Sequence, residues 1–149
     1  MKKSFLVISV SAIILCSVIQ CKKDEPLNIV LYNQPLKTIQ HYIQGKWRLV
    51  YGKGGLCSIC KFPCDNCFFE FTSDNRFISK SFVITTDTTT IRWVKDRGEY
   101  LQGDSTYVMT FIDKYSAPHT YVIDRIYSDT LIYYDNASDP MFYHCIRSK

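Results

Sequence analysis

The sequence has little glycine and little proline, six and five residues in 149. It also lacks any repeated period or low-complexity tract, which excludes collagen-like, coiled-coil and disordered chains. A strong charge of one sign is missing too. Eighteen basic residues face 14 acidic ones, and a net charge of +4 is too small for a nucleic-acid footprint. Catalytic signatures are absent as well. There is no G-x-S-x-G and no H-E-x-x-H, and His41, His119 and His144 stand beside no nucleophile in the sequence. Gly52-Lys53-Gly54-Gly55 lacks the spacing and the terminal Lys-Ser/Thr of a phosphate-binding loop. Beyond residue 21 the glutamates are only Glu25, Glu70 and Glu99, and the aspartates gather at turns, so no carboxylate pair is nominated. Asp135–Pro140 offers oxygen ligands, but its composition is that of a turn. The expectation is a protein that is not an enzyme.

One long apolar run is present. It spans Phe5–Ile19, behind Met1-Lys2-Lys3-Ser4. A basic start followed by about 15 apolar residues is an export signal, and it falls short of the ~20 residues of a membrane span. Val18-Ile19-Gln20-Cys21 resembles the lipobox of bacterial lipoproteins, with Gln20 where a small residue is usual. That resemblance implies cleavage before Cys21 and a covalent lipid on it, so the membrane is the first partner. Two or three acyl chains hold a protein stably on a bilayer. Asp24 and Glu25 resemble the acidic export signal of Bacteroidota-type lipoproteins, which implies the outer membrane and display on the cell surface rather than the periplasmic face. Residues 1–20 are then the signal peptide, 21–35 a lipidated tether with Pro26 and Pro35, and 36–149 one folded domain. Loss of Lys2 and Lys3 with the signal removes part of the basicity.

Core-forming residues are abundant: 46% are hydrophobic, and 11 Tyr, 9 Phe and 2 Trp are present. Leu36, Ile39 and Ile43 fall at i, i+3 and i+7, which predicts a short amphipathic helix ended by Gly45. Eight β-rich runs follow: 46–51, 67–72, 76–84, 88–95, 106–112, 120–126, 130–134 and 141–147. Ser73-Asp74-Asn75 and Ser128-Asp129 are hairpin signals between them. Phe69 and Phe71 alternate with Phe68 and Glu70, and Ile91 and Trp93 with Arg92 and Val94. Short strands without intervening helices predict an all-β antiparallel sandwich or barrel.

Gly45-Lys46-Trp47 at the helix-to-strand junction, with Arg147 at the end of the last run, resembles the lipocalin family and its calycin relatives. The resemblance covers about residues 36–147. It implies an eight-stranded antiparallel up-and-down barrel whose N-terminal helix plugs the closed end, with Arg147 lying across the Trp47 indole. The physical content is a cation–π contact, worth ~0.5–2 kcal/mol, plus donors for the helix carbonyls. The alternative is an immunoglobulin-like β-sandwich, which would not bring Trp47 to Arg147.

Seven cysteines are present. Cys16 leaves with the signal and Cys21 takes the lipid. Cys57, Cys60, Cys64 and Cys67 form C-x2-C-x3-C-x2-C, and three readings compete. Disulfides suit an exported protein. A structural zinc wants two C-x2-C knuckles, and only Lys61-Phe62-Pro63 separates these two. Free or redox thiols want a helix N-terminus, which Gly54-Gly55-Leu56 does not offer. In a barrel, residues 52–66 form a loop across the open mouth, and Cys145 lies about 13 Å down the last strand at ~3.3 Å per residue. A disulfide spans only about 4.4–6.8 Å between Cα atoms. Cys145 is therefore expected to be a free thiol, with the other four pairing among themselves.

Three functions are compatible with this sequence. The first is a membrane-anchored, non-enzymatic barrel that binds a small apolar ligand, with no cofactor beyond the Cys21 lipid. The second is a cell-envelope interaction module with a filled barrel. The third is a thiol or metal protein using the cysteine cluster. No motif names ligand-binding residues.

Overall fold

The computed structural model describes residues 27–81, 84–101 and 104–148. The expected signal peptide, Cys16 and the expected lipidation site Cys21 lie outside the described residues. The described chain is all-β with one α-helix. In order, β1 is Asn28–Val30, α1 Leu36–Ile43, β2 Gly45–Gly54, β3 Cys57–Pro63, β4 Phe68–Phe71, β5 Arg76–Ser81, β6 Ile84–Thr90, β7 Arg92–Arg97, β8 Ser105–Ile112, β9 Pro118–Tyr127, β10 Thr130–Asp135 and β11 Met141–Arg147. All strand pairs are antiparallel, and they form one curled sheet in the order β6-β5-β4-β2-β11-β10-β9-β8-β7. A single continuous sheet replaces the two packed layers of the sandwich alternative.

Nine of the eleven strands fall on the eight expected runs, with one break between β6 and β7, whereas β1 and β3 lie outside every expected run. β6 and β7, the two ends of the strand order, are consecutive in the chain with only Ile91 between them. Thr89, Ile91 and Trp93 keep one alternation across that break, so the sequence shows none. β3 and β4 both pair with β2, and the ladder between them is carried on by Cys64 N–H to Val50 O (3.3 Å) and Leu49 N–H to Cys67 O (2.8 Å). Residues 52–66 are thus largely a two-stranded ribbon and not the loop expected there. The residues expected as tether also change role in part. β1 pairs with β9 at Asn28↔Tyr127, and Leu31 is fully buried. The opening for it is a bulge in β9 at Asp124, whose carbonyl accepts from Leu31 N–H at 2.7 Å.

α1 starts behind Pro35, whose ring suits a helix entrance. It buries Ile39 and Ile43 against the sheet. Eight residues are too few for a helix to hold alone, so this packing makes it. Gly45, at φ +110°, turns the chain from α1 into β2. The hairpins turn at Asn75 (φ 61°) and Ser128 (φ 57°), left-handed positions for short polar residues.

The core lies on the concave side. Trp47, Met109, Leu131 and Cys145 are fully buried there, with Phe69, Phe71 and Tyr133 beside them. On the opposite face Val108, Val122 and Tyr134 form a smaller cluster backed by Tyr32 and Phe142.

Candidate functional site

The helix end of the sheet is sealed. Trp47 Nε1–H donates to Ile43 O at 2.7 Å, and Arg147 donates to Gln44 O at 2.9 Å and Tyr42 O at 3.0 Å. These are carbonyls that the last turn of α1 leaves without helical partners. The guanidinium carbon of Arg147 stands 4.2 Å from the Trp47 ring centroid. Gly45 adds room here, since a Cβ on it would lie 3.2 Å from Arg147 Nη1. So Gly45, Trp47 and Arg147 come together, and inward from them Phe69, Phe71, Tyr133 and Leu131 fill the concavity.

The filling stops partway along. Toward the opposite end, β5 and β6 face β8 and β9 across a pocket of about 220 Å³, and none of its residues is nominated by the sequence. Its walls are aromatic. Phe77 stacks on Phe111 (centroids 4.9 Å apart), and Phe111 stacks on His119 (5.1 Å). Ser79, Thr89, Asp87 and Asp113 supply polar atoms, and Tyr121 closes the inner side. The walls are tied together by Thr89 Oγ1–H to Ile112 O (2.9 Å) and by Lys114 N–H to Asp87 Oδ2 (3.1 Å).

The polar groups are ordered. Asp113 Oδ1 accepts from Tyr115 N–H and Ala117 N–H, which fixes the β8–β9 turn. Its Oδ2 lies 3.1 Å from His119 Nε2, and His119 Nδ1 lies 3.2 Å from Tyr121 Oη. The His119 hydrogen bond, helped by the two turn amides, holds the Asp113 carboxyl below its ordinary range. An ionised carboxylate only accepts, so Nε2 carries the proton on that side; on a neutral ring Nδ1 then accepts from Tyr121. Burial pushes the Tyr121 hydroxyl up to about 12, so it stays protonated and can donate. Beneath it, Tyr143 Oη–H donates to both oxygens of Asp135, 3.2 and 3.3 Å away. The arrangement orients donors and acceptors beside stacked rings. It presents no activated nucleophile.

One signal for this site does exist in the sequence. Tyr107, Met109 and Phe111 on β8, and His119 and Tyr121 on β9, alternate onto one face. What the sequence withholds is that β5 and β6 stand opposite.

The cysteines lie elsewhere. Cys57 is bonded to Cys60, and Cys64 to Cys67, with Cα separations of 5.3 and 5.7 Å. The first bond braces the tip of the β2–β3 ribbon and the second the junction of β3 with β4. Each bond closes within one C-x2-C knuckle. Cys145 is unbonded and fully buried, in register with Leu49 and Leu131. Burial pushes its thiol well above the ordinary value, which removes the reactive thiolate. In the native protein Cys145 is expected to resist a water-soluble aromatic disulfide reagent and to become reactive on denaturation. Rapid reaction of the native protein would contradict its burial.

On the outer face, His144 stacks on Tyr51 with ring centroids 4.4 Å apart. Partial burial, then Lys53 and Lys61, lower its pKa, with Asp124 opposing weakly. A lowered folded pKa means that the unfolded chain takes up this proton first as the pH falls. Stability is therefore full above the ordinary histidine value of about 6.5 and declines below it, through the folded pKa. His144→Phe should flatten the fall in urea midpoint between about pH 7 and 5. Identical pH slopes for variant and wild type would refute this.

No family model, no curated protein and no solved structure matches this chain.

Proposed function

We propose that this protein is a membrane-anchored lipoprotein of lipocalin-like architecture that binds a small, mainly apolar molecule in the pocket between β5–β6 and β8–β9. The architecture is read from the strand path. Taken with their breaks, β3–β4 and β6–β7 each make one pass, so the chain from Gly45 to Arg147 makes eight passes. The fourth pass pairs with β5 through β6 and with β8 through β7. An eight-stranded barrel has room for packed side chains or one small ligand; here both conditions occupy different halves. The Trp47–Arg147 closure supports the lipocalin-like reading of the helix end. The lipid on Cys21 and display on the outer membrane rest on the first 25 residues.

The observation that carries the binding reading is the pocket itself. An apolar cavity of about 150 Å³ holds a benzene, so about 220 Å³ admits one or two fused rings with a polar substituent. Rings would lie against Phe77, Phe111 and Tyr121, and a donor on the ligand would meet the carboxylates at the rim. The test is a fluorescence titration with 2-naphthol, which has two fused rings and one hydroxyl. Saturable one-to-one binding that perturbs the Phe111 and Tyr121 ring resonances is expected. Non-saturating partition, or saturation without change at those rings, would overturn the reading.

A further inference from the structure

The disulfide-braced ribbon is not used by the pocket, and its surface is unusual. Leu56 at its turn is fully exposed, Ile59 is 87% exposed and Phe62 is 48% exposed. Two disulfides brace the eleven-residue segment 57–67 that carries Ile59 and Phe62, with Leu56 directly before it. β3 uses one edge to pair with β2, at Tyr51↔Pro63, Gly52↔Phe62 and Lys53↔Lys61. Among the described residues no strand pairs with its other edge, so a row of backbone N–H and C=O groups faces solvent. Lys53 and Lys61 stand directly opposite each other, an arrangement of like charges that costs stability. Lys61 lies over the Tyr51 ring at 4.9 Å, and no carboxylate is within ion-pair distance of either lysine among the described residues.

We propose that the outer edge of β3 takes an extended segment of another protein as an added strand, with a carboxylate near Lys61 and Lys53 and apolar side chains against Leu56, Ile59 and Phe62. Strand addition supplies what the edge lacks, since backbone hydrogen bonds give affinity and alternate side chains give selectivity. A bilayer is a poorer occupant, because hydrocarbon satisfies no N–H or C=O group. A second copy is also poorer, because edge-to-edge pairing gathers lysines of one sign; Lys61 is the kind of guard that keeps an edge from pairing with its own kind. The disulfides have a role in this picture. An edge held extended in advance loses little freedom when it is bound. The ribbon tip also lies at the end of β2 opposite α1. The chain enters at the α1 end, where Ser128 N–H meets Leu27 O, so the edge projects from the end opposite the tether. The proposal does not depend on the pocket being occupied.

The test uses the full-length protein and two synthetic decapeptides, one alternating Glu and Val, the other alternating Lys and Val. The Glu-Val peptide is expected to bind saturably and to slow amide hydrogen exchange at residues 57–63. Ile59→Ser should weaken it at least about tenfold while leaving the near-UV circular dichroism unchanged, since it removes an exposed apolar contact without adding a charge that would itself attract the acidic peptide. Reducing the disulfides should weaken it as well. The Lys-Val peptide should not bind. The proposal is overturned if neither peptide protects residues 57–63, or if both protect them equally. It is equally overturned if residues 57–63 are protected by phosphatidylglycerol vesicles, or by self-association on concentration, and not by the Glu-Val peptide.

Discussion

Trp47→Ala is expected to cost about 3–5 kcal/mol of stability, the range for truncating a buried tryptophan. Urea unfolding followed by far-UV circular dichroism would measure it. Trp47 is fully buried, and three separate consequences follow its loss. A large void opens at the helix end. Ile43 O loses its donor. Arg147 loses the ring beneath its guanidinium, although its bonds to Gln44 O and Tyr42 O persist. Arg147→Ala should cost less, about 1–3 kcal/mol, because the group is partly exposed and its hydrogen bonds go to a helix end. Arg147→Lys should recover little of it, since one ammonium cannot reach two carbonyls and cover an indole as a planar fork does. The two sites share a contact, so the double variant should cost less than the sum of the singles. Strict additivity would show that Arg147 and Trp47 do not act as one unit.

Ser79→Trp should abolish binding of 2-naphthol in the measurable range, weakening it at least about tenfold, and leave the fold intact. Ser79 pairs with Phe69 and Asp87 and sends its side chain into the pocket. An indole at that position occupies the space a ligand needs. The substitution fills a void rather than crowding a packed core, so the melting temperature should hold or rise. Phe111→Ala acts in the opposite way, by removing a wall. It should weaken binding about 2- to 10-fold, the worth of one stacked ring. Undiminished binding to Ser79→Trp would move the site out of this pocket.

Much of the fold is legible in the residues, for physical reasons that differ by element. A strand with one buried face alternates, so β4 stands out in the sequence through Phe69 and Phe71. α1 stands out by its i, i+3, i+7 spacing. The two misread segments carry no such pattern. Cys57–Pro63 is exposed on both faces at most positions, so nothing forces alternation, and its cysteines suggest a loop. Asn28–Val30 is three residues long, and its pairing depends on a bulge in β9 that no local pattern announces. The Trp47–Arg147 contact joins residues 100 positions apart and is legible only through a family resemblance. The pocket is the least legible feature. Asp113 and His119 are close in sequence, but Phe77 and Asp87 join them only because the sheet curls.

The most direct test of the account is native mass spectrometry of the protein purified from its own host membrane. The account predicts a chain beginning at a lipidated Cys21, with two disulfides and one free thiol. It also predicts one small-molecule adduct that is retained by the wild type and absent from Ser79→Trp. A bare polypeptide without adduct, or an adduct that survives the Ser79→Trp substitution, would contradict it.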